Sequence, residues 1–578
     1  MKNIINFLIT VVFIALFIGT TGESNDLKKE THNINTSSAG GNKLSQIINS
    51  KKDIYNFKNI NVFKFEKIAG QNDNSSAFVS DASILEIKHE QVSRLLLDKN
   101  ENIIFRIPVT GNHFVELELT QSFPVTPDLI LTSKNGNKDR SEKYTPGLHY
   151  NGIIKGNENS IASVSIFKDF VMGVISDESG NYVLGAIKNS DNTYSDKYIY
   201  YNDKDLNVKN NFKCGLEDNE EKFIRTFDES KINNYNRNGS PDVVTRLPVK
   251  VYFEADYQMY SDAGQNVEVL VNFITGMFNS VMTIYQNESI PFVISQISYW
   301  SFPDPYSNST DSYAILLNFG ANTGDNYQAN LAHLISTRNA GLGGIAWIRV
   351  MCAEYSPADS AGRFAFSNIE PGYNNYPTYS WTVNVVAHEM GHSLGSRHTH
   401  SCVWPAGPGG AIRAIDSCYY AEGGCFQNNQ IRPTVGTIMS YCHLWSVNEG
   451  GGINLASGFG PLPGDTIRLR YSQAGCLDRV MNSSETPALF DLKQNFPNPY
   501  NPATTISFAL PRDAKINLKV YDISGKLIAD LIQNRSYTPG FYDVAFNSET
   551  YGLSSGIYFY SLESDGMLID TKRMVLIK

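Results

Sequence analysis

The residues best suited to chemistry lie in the stretch WTVNVVAHEMGHSLGSRHTH, residues 381–400. On a helix, positions four apart lie on nearly the same face, so His388 and His392 can place two imidazoles on one metal ion. Glu389 lies about 100° further round such a helix. Its carboxylate is therefore beside the metal and not on it, where a base that activates water must be.

The pattern H-E-x-x-H-x-x-G-x-x-H is completed by Gly395 and His398. Glycine can adopt the left-handed conformation that ends a helix and turns the chain. The turned chain can then deliver His398 as a third ligand from a different direction. Three nitrogen ligands with one open position describe a catalytic zinc site and not a closed structural one.

A second feature, Thr-Ile-Met-Ser-Tyr at residues 437–441, follows downstream. This stretch resembles the Met-turn of the metzincin zinc peptidases, and the long histidine motif at residues 388–398 matches the zinc-binding motif of the same family. The resemblance implies that Met439 forms a hydrophobic floor under the zinc ligands, a role compatible with that of an ordinary core methionine. It also implies that Tyr441 lies beside the zinc and donates to the oxyanion of the transition state; a core tyrosine is the alternative.

The composition points to an exported protein of several domains. The chain has 578 residues, 42% of them hydrophobic, and a net charge of -10 without a basic stripe, which argues against a nucleic-acid partner. Residues 1–22 have a basic start, a short apolar core and small residues at the end, typical of a signal peptide; an uncleaved anchor is the alternative. No later segment is judged long and apolar enough to cross a bilayer.

Export makes the seven cysteines informative. Six of them lie between Cys352 and Cys476, around the histidine motif, and three disulfides would use all six. Six cysteines permit 15 pairings. Cys214 is the odd one and lies well upstream.

Residues 23–242 open with a polar run, and a helix is predicted near 43–57. Short apolar segments then alternate with turn residues, which predicts many strands, among them 103–107 and 114–119. The stretch from His149 to Gly185 resembles the propeptides of adamalysin/reprolysin metallopeptidases. An independent β-domain with a binding role is the alternative. The polar residues 216–242 are interpreted as an exposed linker, where proteases cut.

Cys214 stands in the sequence Lys213-Cys214-Gly215, which resembles the cysteine switch of adamalysins and matrix metalloproteinases. A thiolate is a strong zinc ligand, so Cys214 would be a metal ligand in the latent form only. The alternative is an unreactive cysteine in a β-domain.

The catalytic domain is predicted at 243–481, as an α/β fold with a mixed sheet and an active-site helix. The sequence predicts strands at 247–253 and 290–297 and a helix at 266–285. The segment 341–352 resembles the strand that lies at the sheet edge above the adamalysin cleft. An edge strand can pair with an extended peptide, so Gly344, Ile345, Ala346 and Trp347 are candidate substrate-binding residues; a plain buried strand is the alternative.

The adamalysin resemblance, which covers about residues 57–477, also implies disulfides and a calcium site. By analogy, the disulfides are Cys352–Cys476, Cys402–Cys442 and Cys418–Cys425. The sequence departs from the family at Lys250 and Arg479, where calcium ligands are expected, so a calcium site is not matched.

After a linker at 482–490, residues 491–578 show strands of period two that predict a small β-sandwich. The Asn-Phe-Pro-Asn-Pro-Tyr-Asn-Pro entry at 495–502 and the basic end, Lys572-Arg573, resemble the C-terminal sorting domain of type IX secretion cargo. The resemblance implies the type IX machinery as a partner and a location outside a Gram-negative cell or on its surface. An ordinary carbohydrate- or protein-binding sandwich is the alternative.

Together these features predict a β-rich propeptide, a metzincin-like catalytic domain and a C-terminal β-sandwich. The predicted function is that of a secreted monomeric zinc metalloendopeptidase, made as a zymogen, that cleaves proteins or peptides with zinc-activated water and Glu389 as general base. An inactive metzincin-like surface adhesin is the alternative.

Overall fold

The computed structural model describes residues 42–69, 77–136, 139–190, 193–208, 214–215, 220–224, 247–338, 341–369, 375–419, 425, 431–445, 451–478, 490–495, 497–537 and 540–577. The predicted signal peptide, the polar run after it and Arg479 lie outside the described residues.

The first part of the chain is rich in strands, as its alternation of apolar runs and turn residues predicts. Its elements are α1 (Lys43–Lys52), β1 (Lys58–Ile60), β2 (Phe63–Ile68), β3 (Ser83–Ile87), α2 (His89–Asp98), β4 (Asn102–Pro108), β5 (Phe114–Ser122), β6 (Val125–Lys134), β7 (Arg140–Glu142), β8 (Leu148–Ile154), β9 (Ile161–Ile166), β10 (Val171–Asp177), β11 (Gly180–Lys188) and β12 (Tyr194–Asn202).

Ten of these strands form one sheet in the order β1-β4-β5-β8-β9-β10-β11-β12-β3-β2. Successive residues of a strand point to opposite faces, and both faces of the central strands are covered. Val164 and Ile175 belong to a core on the side of α2, whereas Ile161, Met172 and Val174 belong to a second core.

The middle part of the chain supplies the helices. Its elements are β13 (Val249–Ala255), α3 (Tyr257–Asp262), α4 (Val267–Asn287), β14 (Phe292–Trp300), α5 (Ser312–Thr323), β15 (Leu331–Ser336), β16 (Gly344–Ala346), β17 (Phe364–Asn368), α6 (Tyr379–Ser393), α7 (Pro461–Gln473) and α8 (Gly475–Asp478).

The sheet of this middle part has the order β16-β17-β15-β13-β14-β6-β7. The neighbours from β17 to β6 pair in parallel, whereas the short outer strands β16 and β7 are antiparallel to their neighbours. Strands β6 and β7 precede residue 242, so this sheet crosses the predicted domain boundary. Buried apolar residues from both sides of that boundary form one hydrophobic core.

Helix α4 is the centre of that shared core. The Asn266 side chain caps it by accepting hydrogen bonds from the backbone N–H groups of Glu268 and Val269. Among the described residues, α4 is the one helix whose length and composition would allow it to cross a membrane. However, 83% of its most apolar 18-residue stretch is buried inside the protein. The expectation that no segment after the signal peptide meets that criterion was therefore wrong, because a core helix covered on all sides has the same composition.

The C-terminal part contains β18 (Asp491–Leu492), β19 (Ala503–Leu510), β20 (Ala514–Asp522), β21 (Leu527–Tyr537), β22 (Gly540–Asn547), β23 (Gly556–Ser564) and β24 (Met567–Leu576). They form two sheets, β18-β19-β22 and β21-β20-β23-β24. Buried residues of both sheets share one hydrophobic core, an arrangement consistent with the predicted sandwich.

The structure joins Cys352 to Cys476, with Cα atoms 5.5 Å apart, and leaves Cys214 outside the disulfides. The predicted Cys402–Cys442 and Cys418–Cys425 pairs were wrong, since the structure has Cys402–Cys425 and Cys418–Cys442.

The backbone around Thr399 explains the difference. The Thr399 N–H donates to the Met439 carbonyl, and the Ile415 N–H donates to the Thr399 carbonyl. The segments that lead to Cys418 and Cys442 therefore lie on either side of Thr399 and meet.

We expect peptide mapping under non-reducing conditions to recover Cys352–Cys476, Cys402–Cys425 and Cys418–Cys442 peptides, with Cys214 alkylated after denaturation. Each bonded pair has Cα atoms within the range that a disulfide spans. The reduced protein is the control, in which all the cysteines are alkylated. Recovery of a Cys402–Cys442 peptide would contradict the structure.

Candidate active site

Helix α6 contains the first half of the histidine motif and is largely buried. His388, Glu389 and His392 are each 0% exposed. Gly391 allows the close approach of the Met-turn, because a Cβ there would lie 2.7 Å from the Met439 sulfur. Met439 is buried, and its carbonyl accepts from the N–H of Thr399, the residue after His398.

The chain turns directly after α6. Gly395 has a φ of +95°, and its N–H donates to the His392 carbonyl at 2.7 Å. A residue with a side chain avoids that conformation. The turn sends the chain back toward the helix, and His398 arrives beside the other two imidazoles.

The three imidazoles converge through the same type of nitrogen. The Nε2 atom of His392 lies 3.2 Å from that of His388 and 3.2 Å from that of His398. Zinc–nitrogen bonds of 2.0–2.1 Å in a tetrahedron separate the nitrogens by about 3.3 Å. The donor set and its spacing therefore fit zinc.

An oxygen acceptor orients each imidazole from behind. Nδ1 of His388 faces the Ile438 carbonyl at 2.8 Å, and Nδ1 of His392 faces the Ser396 carbonyl at 2.8 Å. Nδ1 of His398 lies 3.0 Å from a carboxylate oxygen of Glu220. A proton on Nδ1 leaves Nε2 with a lone pair for a metal.

Burial lowers the pKa values of His388 and His392 well below the usual range, with the neighbouring imidazoles acting in the same direction. Both rings are therefore held neutral, which is the form that binds a metal.

Glu389 lies beside the imidazoles and against the edge strand. Its Oε1 has no hydrogen-bond partner among the described residues. Burial raises the pKa of Glu389 to about 8, and the hydrogen bond from the Cys214 thiol acts in the opposite direction. A Cβ on Gly344 would lie 2.1 Å from Oε1, so only glycine leaves room for the carboxylate there.

Cys214 completes the group of four donors. Its sulfur lies 3.7 Å from Nε2 of His392 and 3.6 Å from a carboxylate oxygen of Glu389. The donor atoms of Cys214 and the three histidines all lie within 4.8 Å of one another. With a zinc–sulfur bond of about 2.3 Å, a tetrahedral site separates sulfur from nitrogen by about 3.6 Å.

Tyr441 holds the backbone of Cys214 at both ends. Its hydroxyl accepts from the Cys214 N–H at 2.9 Å and donates to the Cys214 carbonyl at 3.2 Å. Its ring is buried, 4.9 Å from that of His398. The hydroxyl thus donates to a peptide carbonyl next to the three imidazoles.

Two described parts of the segment that contains Cys214 lie against β16 and the residues that follow it. Cys214 bridges Gly344 in parallel, and the Gly215 N–H donates to the Gly344 carbonyl at 2.6 Å. Further along, the Ile348 N–H donates to the Phe223 carbonyl at 2.8 Å. The residues predicted for substrate alignment, Gly344, Ile345, Ala346 and Trp347, are all buried. Within this set, Cys214 bridges Gly344 and Phe223 contacts Trp347.

Glu220 is a site residue that the sequence analysis missed. It is 2% exposed and accepts hydrogen bonds from Arg397, from the backbone and ring of His398 and from the Ser401 hydroxyl. Residues 220–224 were interpreted as exposed linker, and for Glu220 and Phe223 this was wrong. A carboxylate in a polar run carries no signal that distinguishes it from a solvated one.

Three other histidines lie near the site or in the sheet. His400 stacks on His398 with ring centroids 4.8 Å apart, and His443 contacts the Tyr441 ring. His333 is buried in β15 beside the Ser367 hydroxyl, and burial lowers its pKa to about 3. These contacts give the three histidines structural roles.

Two families match separate parts of this chain. Residues 246–448 match metallo-peptidase family M12, and residues 494–578 match the secretion system C-terminal sorting domain. Residues 246–448 are called the M12 domain below, after the family that they match. The sorting domain marks the chain for secretion, to the outside of the cell or to its outer surface.

The M12 domain has a curated relative in a snake. The zinc metalloproteinase-disintegrin-like BfMP of Bungarus fasciatus is 23% identical over 260 residues, which cover 43% of this chain and 40% of that protein. The chain therefore spans less than half of the relative's length.

Two solved structures overlap this chain at low scores. Metalloproteinase-II of Bacteroides fragilis has a TM-score of 0.29 and 13% identity, over 54% of this chain and 86% of that one. OgpA of Akkermansia muciniphila has a TM-score of 0.20 and 14% identity, over 57% of this chain and 92% of that one. Scores this low carry no argument about the fold.

We expect Gly395→Ala to lower the free energy of unfolding by about 1–2 kcal/mol, because alanine is strained at a positive φ. The displaced turn also weakens zinc binding, since His398 follows three residues later. The measurements are urea unfolding and zinc titration. Gly475→Ala is the matched control, because a Cβ there meets nothing within 4 Å. Unchanged zinc affinity in Gly395→Ala would show that the turn does not position His398.

Proposed function

We propose that the chain is a zinc metalloendopeptidase made as an inactive precursor. In this proposal residues 23–242 are a propeptide, 243–481 the catalytic domain and 491–578 the domain read by the type IX secretion machinery. The observation that carries the proposal is the position of the Cys214 sulfur against three converging imidazoles and Glu389. The complete donor set argues against an inactive adhesin.

In the precursor, the Cys214 sulfur lies beside the three imidazoles and, as a thiolate, would be the fourth ligand of a bound zinc. A sulfur in this place excludes water from the position next to Glu389. The segment lies along β16, where substrate would pair. Because Glu220 and Phe223 are buried and Ile224 bridges Ile348, the activating cut lies beyond Ile224, within residues 225–242.

After the cut, Cys214 leaves and its place is open to water and a peptide. Zinc, when bound by His388, His392 and His398, supplies a Lewis acid that polarises the scissile carbonyl and lowers the pKa of water. Glu389 accepts the proton of the attacking water and passes it to the leaving amine. Its unpartnered oxygen and its place beside Gly344 support this role.

Tyr441 stabilises the transition state in this proposal. Its hydroxyl donates to the Cys214 carbonyl in the precursor, and a scissile carbonyl that takes the same place accepts the same bond. The bond strengthens as negative charge develops on the oxygen. The strand Gly344–Trp347 aligns the peptide through its free backbone groups once the propeptide segment has left.

For Glu389→Ala we expect peptidase activity of the cut protein to fall by about 10²–10⁴-fold, because the general base is lost. Zinc content is expected to stay near that of the unchanged protein, since the ligands remain. Casein cleavage and metal analysis measure the two effects. His392→Ala is the comparison variant, in which zinc and activity are both lost. Loss of zinc from Glu389→Ala would show that Glu389 is a ligand and not the base.

For Cys214→Ala we expect the uncut precursor to bind active-site hydroxamates more tightly than the unchanged precursor does, because the competing sulfur is gone. Cys214→Ser should be intermediate, since a hydroxyl is a weaker zinc ligand than a thiolate. The cut protein is the positive control. Equal hydroxamate binding by all the precursors would mean that the segment blocks the cleft by bulk alone.

A further inference from the structure

Strand β6 joins the propeptide region to the sheet of the M12 domain. It pairs in parallel with β14, from Ile130 opposite Gln296 to Lys134 opposite Trp300. Without β6 and β7, β14 is the last strand at the edge that lies away from the cleft. A bare edge of this kind exposes a row of backbone N–H and C=O groups. The N-terminal part of the chain therefore covers this edge of the sheet.

The end of β6 also places a cation against a buried carboxylate. The Lys134 ammonium lies 2.6 Å from Glu254, whose side chain is 0% exposed. Glu254 also accepts hydrogen bonds from Tyr252, Trp300 and Tyr306, but these donors are neutral. Within the part of the chain that the structure describes, Lys134 is the cation that pairs with Glu254. Its removal leaves a buried charge without compensation, which is strongly unfavourable.

The ten-stranded sheet is bound to helix α4 through buried polar contacts. Asn279 accepts from the Ser122 hydroxyl and donates to the Tyr150 carbonyl, and the Ser163 hydroxyl donates to that of Ser280. Separation of the two parts would leave these groups unpaired on an apolar surface.

Apolar contacts lie on the same face of α4 as the polar contacts of Asn279 and Ser280. A Cβ on Gly276 would lie 2.4 Å from the Met172 sulfur, so sheet and helix are in close contact. The interface has the character of a domain interior rather than of a transient docking surface.

The segment from Cys214 to Ile224, which is proposed to block the cleft, is attached to the M12 domain by a separate set of contacts. Between Cys214 and Ile224 the described residues meet the M12 domain through the Cys214 sulfur, the Tyr441 hydroxyl, single bridges to Gly344 and Ile348, the contacts of Glu220 and the packing of Phe223 on Tyr313 and Trp347. None of these contacts is part of the ten-stranded sheet. The segment can therefore leave the cleft while the sheet stays in place.

We propose that the activating cut yields a two-chain protein, in which the N-terminal fragment stays bound through β6, Lys134 and the α4 interface. Only its tail, which contains the described residues 214–215 and 220–224, leaves the cleft. This inference rests on the proposed activation by cleavage beyond Ile224. The partner of the β14 edge in the active enzyme is thus the chain's own cleaved N-terminal fragment.

The test is a full-length chain with a recognition sequence for a specific protease placed at residues 231–240. After cleavage, two polypeptides are expected under denaturing conditions and one 1:1 complex in size-exclusion chromatography and native mass spectrometry. The complex is expected to bind a hydroxamate, because the tail has left the cleft. A C-terminal fragment that elutes alone after cleavage would overturn the inference.

Two variants test the role of the ion pair. Lys134→Met should raise the fraction of dissociated fragments in mild urea by at least about tenfold, because Glu254 is left without its cation. Lys155→Met is the matched control, since Lys155 is half exposed and pairs with Glu116 of the same fragment; it should dissociate as the unchanged protein does. Equal dissociation of the two variants would remove Lys134 from the proposed interface.

The same samples separate this inference from the proposed function. A complex that binds hydroxamate but cleaves no casein would contradict the peptidase and leave the retained fragment standing. Separated fragments with full casein cleavage would contradict the retained fragment and leave the peptidase standing.

Discussion

The site depends on three buried imidazoles, which must present unprotonated Nε2 atoms to one point. Each ring meets this requirement through an oxygen acceptor at Nδ1, supplied by the Ile438 carbonyl, the Ser396 carbonyl and the Glu220 carboxylate. Two of these acceptors come from the loops that end α6 and form the Met-turn. The third comes from the segment proposed to block the cleft, so the proposed latent form and the site geometry share a residue.

The segment around Cys214 uses the cleft in the way proposed for a substrate. The Cys214 backbone bridges Gly344 of β16, and its carbonyl accepts from the Tyr441 hydroxyl. The Cys214 sulfur lies beside the imidazoles, in the place proposed for the attacking water. The contacts proposed for inhibition are therefore those proposed for catalysis, with sulfur in place of water.

The two parts of the chain are also joined far from the cleft. Helix α4 is buried from Leu270 to Tyr285 because it packs on the ten-stranded sheet as well as on the elements that carry the site. Strand β6 extends the second sheet and brings Lys134 to Glu254. A fold built in this way keeps the site on a rigid support, whereas the segment from Cys214 to Ile224 is held by local contacts.

The sequence by itself determined what depends on local spacing. The motif from His388 to His398 predicts one helix and one turn, because the 3.6-residue period and the freedom of glycine act over a few residues. Alternating apolar residues likewise predict β4, β5 and most strands of the C-terminal part. Tertiary structure alone decided the partners of distant residues. Three features depend on which distant segments meet in the fold: the pairing of Cys402 with Cys425, the place of β6 in the second sheet and the contact of Glu220 with His398. Hydrophobic burial drives these meetings, and because it is non-directional, it does not specify from the sequence which segments become partners.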